Sequence, residues 1–172
     1  MKDEQLLRYS RQIMLPEMDV AGQQRLVDAT VLIVGMGGLG CPAAQSLTIA
    51  GVGNIKLIDN DIISLSNLHR QPLYTFDDVG REKVFVAKSK LEGLNPEVNI
   101  EVDNSFFDNK NGEELLSNTD IIIDATDNFK SRQIIDQVSK KLNIPMIYGG
   151  LFRYEGQVSI LNVNGSLGYK EL

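Results

Sequence analysis

Gly35-Met36-Gly37-Gly38-Leu39-Gly40 lies between an apolar run, Thr30–Val34, and a segment that reads as a helix. In that context G-x-G-x-x-G lets a phosphate or ribose approach the unpaired N–H groups of a helix N-terminus. Gly35, Gly37, Gly38 and Gly40 are therefore candidate nucleotide contacts. Asp59 ends the next apolar run, close to the spacing of about 20 residues at which an acid grips ribose hydroxyls. Beyond it, Ser64–Gln71 (SLSNLHRQ) supplies an amide and a guanidinium, Asn67 and Arg70, and Gly80-Arg81-Glu82-Lys83 places a lysine near the start of a helical stretch. Asp124-Ala125-Thr126-Asp127-Asn128 closes another apolar run with two carboxylates and an amide. Two cations and an acidic cluster beside a nucleotide turn suit a triphosphate with Mg²⁺ better than a hydride-transfer site. No acid/base residue for hydride chemistry is evident, since the single histidine, His69, lies inside the loop.

Plainer readings stand beside these. The glycine turn by itself also fits a tight strand–helix corner. Arg70 and Lys83 could be surface charges, Asp124 a strand-end structural residue, and Arg8 a surface helix position. Asn67 and Gln71 could brace the loop by hydrogen bonds. Cys41 sits where a helix N-terminus could lower a thiol pKa, but a small residue packed behind the turn is the simpler reading. His69 is assigned no catalysis.

The elements that must position these groups alternate. A segment over 3–28 reads as helix in pieces, broken near Pro16 and Gly22. Thr30–Val34 and Asn54–Ile58 are β-branched strands separated by a helix, Cys41–Ala50, with Pro42 in its first turn and Gly51 as its stop. Val79–Leu94 reads as a helix, Val98–Val102 and Asp120–Asp124 as strands, Phe129–Leu142 as a helix. Pro145–Tyr148 and Gln157–Val163 close the series as strands. Such alternation means βαβ units. The expected fold is α/β: a Rossmann-like, doubly wound, mainly parallel sheet with helices on both faces. The N-terminal helical segment (1–28) precedes a nucleotide-binding domain (29–172).

Composition bounds the rest. The 172 residues carry a net charge of −6, with 42% hydrophobic and 23% charged residues, which suits one globular domain. Seventeen basic against 23 acidic residues argue against general nucleic-acid binding. One cysteine and one histidine make neither an internal disulfide nor a zinc site. The apolar runs are too short to span a bilayer, and the opening does not read as a secretory leader. A cytoplasmic, non-membrane protein is expected.

At these residues the chain resembles the ThiF, HesA and MoeB family of adenylyltransferases, which activate ubiquitin-like sulfur carriers. The resemblance runs from Arg8-Tyr9-Ser10-Arg11-Gln12 through GMGGLG, Asp59-Asn60-Asp61, SNLHRQ and DATDN to Glu155-Gly156-Gln157. RYSRQI, Gly22–Leu26 and the CPAA after the turn lean toward the thiamine branch; the molybdopterin-synthase counterpart is the alternative. The resemblance implies transfer of AMP from ATP to the C-terminal glycine carboxylate of a Gly-Gly carrier, with release of pyrophosphate. It also implies roles: Gly38 lines the adenosine site, Asp59 holds the ribose, and Ser66, Asn67 and Arg70 surround the phosphates. Leu68 and His69 belong to the same binding stretch, Lys83 adds a second cation, and Asp127 binds Mg²⁺ with Asn128 beside it. Arg11 resembles the residue that reaches the γ-phosphate from a neighbouring subunit, which implies a homodimer. A cysteine desulfurase or sulfurtransferase is a further implied partner.

The chain departs from the family pattern near its end. Where relatives carry a C-Y-R-C zinc half-site, Gly168-Tyr169-Lys170-Glu171 stands here, so no zinc site is expected. The strands beyond, a crossover segment with its cysteine and much of the carrier-binding surface are missing from this sequence. Gln157–Val163 is accordingly expected at a sheet edge. A natural short form, a frame-shifted remnant and a fragment all fit this pattern, as does a nucleotide-binding remnant without catalysis.

Overall fold

The computed structural model describes residues 1–163 and 165–171. Three short helices, α1 (Asp3–Arg8), α2 (Ser10–Ile13) and α3 (Asp19–Asp28), lead into strand β1 (Thr30–Val34). There follow α4 (Gly40–Ala50), β2 (Asn54–Ile58), α5 (Lys83–Leu94) and β3 (Asn99–Asp103). Next come α6 (Gly112–Leu115), β4 (Ile121–Asp124), α7 (Phe129–Leu142), β5 (Met146–Phe152) and β6 (Glu155–Leu161). The strands form one sheet in the order β3-β2-β1-β4-β5-β6. All neighbours are parallel except β5 and β6, a hairpin running from Met146 opposite Leu161 to Phe152 opposite Glu155.

β1 shows why the sheet is wound on both sides. Its residues alternate between two cores: Val31 and Ile33 face one, Leu32 and Val34 the other. Period-2 geometry sends successive side chains to opposite faces, so a strand covered on both reads as one apolar run. On the first face lie α4 and α5, through Cys41, Ala44, Val84, Ala87 and Leu91. On the second lie α7, through Ile134, Ile135 and Val138, and the end of α6, through Leu115 and the capping residue Leu116. Leu32 and Ile33 are fully buried, and truncating either to alanine would cost about 2–5 kcal/mol.

The expected fold class is the observed one. β1, β2 and α7 lie where expected, and α4, β3 and β4 shift by one residue at their ends. Three expectations need correction. Gly22 lies inside α3 rather than breaking it. The helix expected from Val79 starts at Lys83, because Gly80 is left-handed (φ 89°) and Phe76–Asp78 forms a separate 3-10 turn. The last two strands are displaced: β5 runs on to Phe152, and β6 begins at Glu155 and ends at Leu161. β6 lies at one edge of the sheet, as expected of it, with Val158 and Ile160 exposed; β3 forms the other edge.

Candidate functional site

The sheet order reverses between β1 and β4: the chain leaves β1 toward β2 and returns to β4 on its other side. In an open α/β sheet, ligands sit at such a switch point, outside the carboxyl ends of the strands. A crevice of about 1080 Å³ opens there, lined by Gly37, Gly38, Asp59, Asn67, Arg70, Lys83, Asp127 and Asn128 among others.

The glycines in the turn serve two different ends. A Cβ on Gly40 would lie 1.8 Å from the Gly35 carbonyl oxygen, and one on Gly35 (φ 95°) 2.8 Å from the Ala125 carbonyl. These two glycines are required by the protein's own packing. A Cβ on Gly37 would meet nothing nearer than Gln71 Nε2 at 3.7 Å, and one on Gly38 nothing nearer than Arg70 at 3.6 Å. Nothing in the chain demands glycine at either position, yet both line the crevice. Bare backbone there leaves room for an occupant.

Asp59 is held by main-chain groups. Its Oδ2 accepts the Met36 N–H at 2.6 Å and its Oδ1 accepts the Asp61 N–H at 2.7 Å. Lys83 is buried, with Nζ 2.7 Å from Asp61 Oδ2 and 4.0 Å from Asp59 Oδ2. It reaches that point because its own N–H bonds to the Asp61 carbonyl and Ile62 bridges to Glu82, tying the loop after β2 to the start of α5. Arg70 is exposed and lies over Gly38, with Nη1 donating to the Ser66 carbonyl at 3.0 Å.

The opposite wall is the loop after β4. Asp127 and Asn128 are exposed along the crevice, and the Asn128 side chain caps α7 by accepting the Ser131 N–H at 2.8 Å. Asp124 is fully buried. Its Oδ1 accepts both the N–H and the hydroxyl of Thr126, at 2.9 and 2.6 Å. Burial pushes its carboxyl above the ordinary range, with the Thr126 hydrogen bonds and Arg132 pulling the other way. Asp124 thus shapes the loop, the plainer of its two readings.

Arg132 joins the site without belonging to any of its motifs. It lines the crevice, and its Nη2 donates to the Thr126 carbonyl at 2.7 Å and its Nη1 to the Tyr148 hydroxyl at 3.0 Å. Its signal was position alone: one helical turn beyond Asn128, on the same face of α7. Asp61 as the close partner of Lys83, and Gln71 and Tyr148 in the lining, were also unforeseen.

Five proposed site residues lie outside this lining. Gly40 is a packing glycine. The Ser66 hydroxyl pairs with that of Ser64 at 2.8 Å, and Leu68 packs against the core. His69 is exposed with Nε2 3.0 Å from Arg70 Nη1. Arg11 is exposed on α2, whose neighbours do the anchoring: Gln12 bonds to Gln23 and the Ala50 carbonyl, and the Tyr9 hydroxyl takes the Asn95 amide. Arg8 donates to the Leu94 carbonyl at 3.3 Å. Cys41 is fully buried, and burial pushes its thiol up to about 11, the opposite of activation.

Among the described residues no cluster of three or more His, Cys, Asp or Glu could cage a metal ion. Asp127, an exposed carboxylate in the crevice lining, suits a hard cation that keeps most of its waters, as Mg²⁺ does. No helix among the described residues is long and apolar enough to cross a membrane.

The model of the ThiF family matches residues 9–172. The probable molybdopterin-synthase adenylyltransferase of Porphyra purpurea is 45% identical over 98% of this chain, which covers 44% of that protein. The sulfur carrier protein adenylyltransferase of Thermus thermophilus is 40% identical over 96% of this chain, covering 62% of its own length. Among solved structures, the E. coli tRNA N6-threonylcarbamoyladenosine dehydratase TcdA, in complex with ATP, superimposes with a TM-score of 0.81. It is 27% identical, and the match covers 88% of this chain and 64% of that one. The chain thus spans about half of the length of the curated relatives it matches.

Proposed function

The chain belongs to the ThiF family, and from that premise we propose that it is a cytoplasmic adenylyltransferase activating the C-terminal carboxylate of a ubiquitin-like sulfur carrier. The observation that carries this reading is one crevice combining bare backbone at Gly37 and Gly38 with Arg70, Lys83, Asp59 and Asp127. The ATP-bound relative of the same fold supports ATP as the occupant.

In the reaction a carrier carboxylate oxygen attacks the α-phosphorus of ATP. The bond to the bridging oxygen of the β-phosphate breaks, leaving an acyl-adenylate and pyrophosphate. A C-terminal carboxyl has a reference pKa of about 3.3–3.7, so it is already ionised and needs no general base. The barrier lies in bringing one anion onto another and in charge passing to the leaving group. Lys83 and Arg70 oppose both costs from one side. Asp59, its oxygens fixed by two backbone amides, presents a set lone pair to ribose hydroxyls. Asp127, with Asn128 beside it, would hold Mg²⁺, which neutralises phosphate charge when bound.

Arg11 would complete the site from a second copy in a homodimer, since it lies exposed and outside the crevice lining of its own chain. A sulfurtransferase or desulfurase would then act on the adenylate. The relatives favour the molybdopterin-synthase counterpart as much as the thiamine branch toward which the N-terminal motifs lean.

The test is ATP–pyrophosphate exchange driven by a Gly-Gly carrier. Exchange should fall at least about 100-fold in Asp127→Ala and Arg70→Ala, with unchanged circular dichroism. Exchange at the full rate in both variants would overturn the assignment. ATP binding without exchange by any such carrier would favour a nucleotide-binding remnant. In mixtures of Arg11→Ala and Arg70→Ala chains, recovered activity would mark a site shared across a dimer.

A further inference from the structure

The turn formed by Tyr169–Glu171 lies on α7, away from the residues given roles above, and it is fastened there from several directions. The buried carboxylate of Asp136, one turn beyond Arg132 on α7, accepts the Tyr169 N–H at 2.8 Å and the Asn162 side-chain amide at 3.0 Å. Glu171 Oε2 accepts the Gly168 N–H at 2.6 Å, and Lys140 donates to Glu171 Oε1 at 3.2 Å. Residue 168 must be small: a Cβ there would lie 2.7 Å from Asp136 Oδ1 and 3.1 Å from Asn162 Oδ1.

These attachments hold the Tyr169 ring against two others, with centroids 5.0 Å from Tyr148 and 5.8 Å from Phe129. On the Tyr148 side the chain of contacts continues. The Arg132 guanidinium lies over the Tyr148 ring, 4.9 Å from its centroid, and bonds to its hydroxyl. The other arm of that guanidinium holds the Thr126 carbonyl, the residue before Asp127.

We propose that the 168–171 turn is a clasp that holds Tyr169 behind Tyr148, and that Tyr169 is thereby a positioning residue for Arg132 and the Asp127 loop. The inference rests on the crevice being a Mg²⁺–ATP site. Tyr169 lies outside the crevice lining; without its ring, Tyr148 loses the support that keeps Arg132 in register with Thr126. The clasp closes on two carboxylates, Asp136 and Glu171, which accept the Tyr169 and Gly168 N–H groups, the Asn162 amide and the Lys140 ammonium.

The test is calorimetric titration of the full chain with ATP, with and without Mg²⁺. In Tyr169→Ala the Mg²⁺-dependent gain in ATP affinity should fall about fivefold, the scale of one lost aromatic pair, while metal-free binding is unchanged. Tyr169→Phe, which keeps the ring, should retain the gain. Gly168→Ala, which removes no ring but displaces the turn that holds Tyr169, should lose it as Tyr169→Ala does. Adding Tyr169→Ala to Arg132→Ala should cause no further loss, because both act along one path. Should Tyr169→Ala fail to fold, Tyr169→Leu is read in the same way. A full gain in Tyr169→Ala beside its loss in Asp127→Ala would overturn the clasp alone, as would additive effects in the double variant. A wild-type chain that binds ATP with an affinity that ignores Mg²⁺ would overturn the Mg²⁺ assignment at Asp127 and the clasp together, and one that binds no ATP would overturn the nucleotide reading as well.

Discussion

The two walls of the crevice carry similar charges but are held in different ways. On the β1–β2 wall, Asp59 is fixed by backbone N–H groups and Lys83 is buried at the first turn of α5. On the β4–β5 wall, Asp127 rides an exposed loop whose shape depends on side chains: Asp124 beneath it and Arg132 across it. Backbone fixation survives most side-chain substitutions, whereas a loop braced by one guanidinium can be loosened by a single change. The first wall offers a preformed cradle, and the second is the adjustable side, where small repacking alters how a metal–phosphate group is held.

The largest effect that tests this contrast lies within the glycine turn. Gly40→Ala should destabilise the chain by about 3 kcal/mol in urea melts, because its Cβ has no space. Gly38→Ala should leave stability within about 0.5 kcal/mol but weaken ATP binding about tenfold, or about 1.4 kcal/mol. If both variants unfold alike, the division between packing glycines and crevice glycines is wrong.

Next in size, Arg132→Ala should cost about 2 kcal/mol, since it leaves buried Asp124 without its nearby cation and Tyr148 without its donor. The loss should appear together with a weaker Mg²⁺ dependence of ATP binding. By contrast, Lys83→Met should shift stability by under about 1 kcal/mol, because its Asp61 partner is two-thirds exposed and readily solvated. Its ATP affinity should nevertheless drop at least about tenfold. Equal stability losses for these two variants would erase the difference between the walls.

The smallest effect concerns Asp124. Its folded carboxyl keeps its proton to higher pH than the unfolded one does, because burial raises its pKa. It therefore contributes stability at acid pH that is lost as pH rises from the ordinary carboxylate value through the raised one. Asp124→Asn, which can still accept the Thr126 hydrogen bonds, should gain on the wild type across that window and then run parallel to it. Urea melts at a series of pH values check this; a constant difference between the two would mean that Asp124 titrates normally.

The contrast also marks what could be read from the sequence. β1 and β2 were legible because both are continuous apolar runs closed by glycine or acid, and the turn after β1 fits a motif whose context is local. Asp59 and Lys83 could be named for the same reason. The start of α5 was not legible: helical spacing of apolar residues runs through Val79, and only the left-handed backbone at Gly80 ends it. Gly22 reads as a break because, in sequence, a glycine that packs inside a helix looks like one that stops it. Arg132 escaped because its type gives no direction; its meaning lies in Thr126 and Tyr148, which the fold brings to it from two other segments. Tyr169 is the extreme case, a residue near the end of the chain touching Tyr148, whose ring is turned toward an arginine of α7.

The central place of β1 has a consequence for how the molecule is made. Its register with β2 joins residues close in sequence, but its other edge stays open until Ile121 pairs with Val31, and Thr30 meets the side chain of Asp120, 90 residues downstream. In chain order the first three strands and the helices α4 and α5 are made before α7, so the second-face residues Leu32, Val34 and Ile58 have no cover until α7 has been made. That face waits for α7, and such a surface is what chaperones hold. The crevice is therefore among the last features of the molecule to come into being, and its adjustable wall is finished after its rigid one.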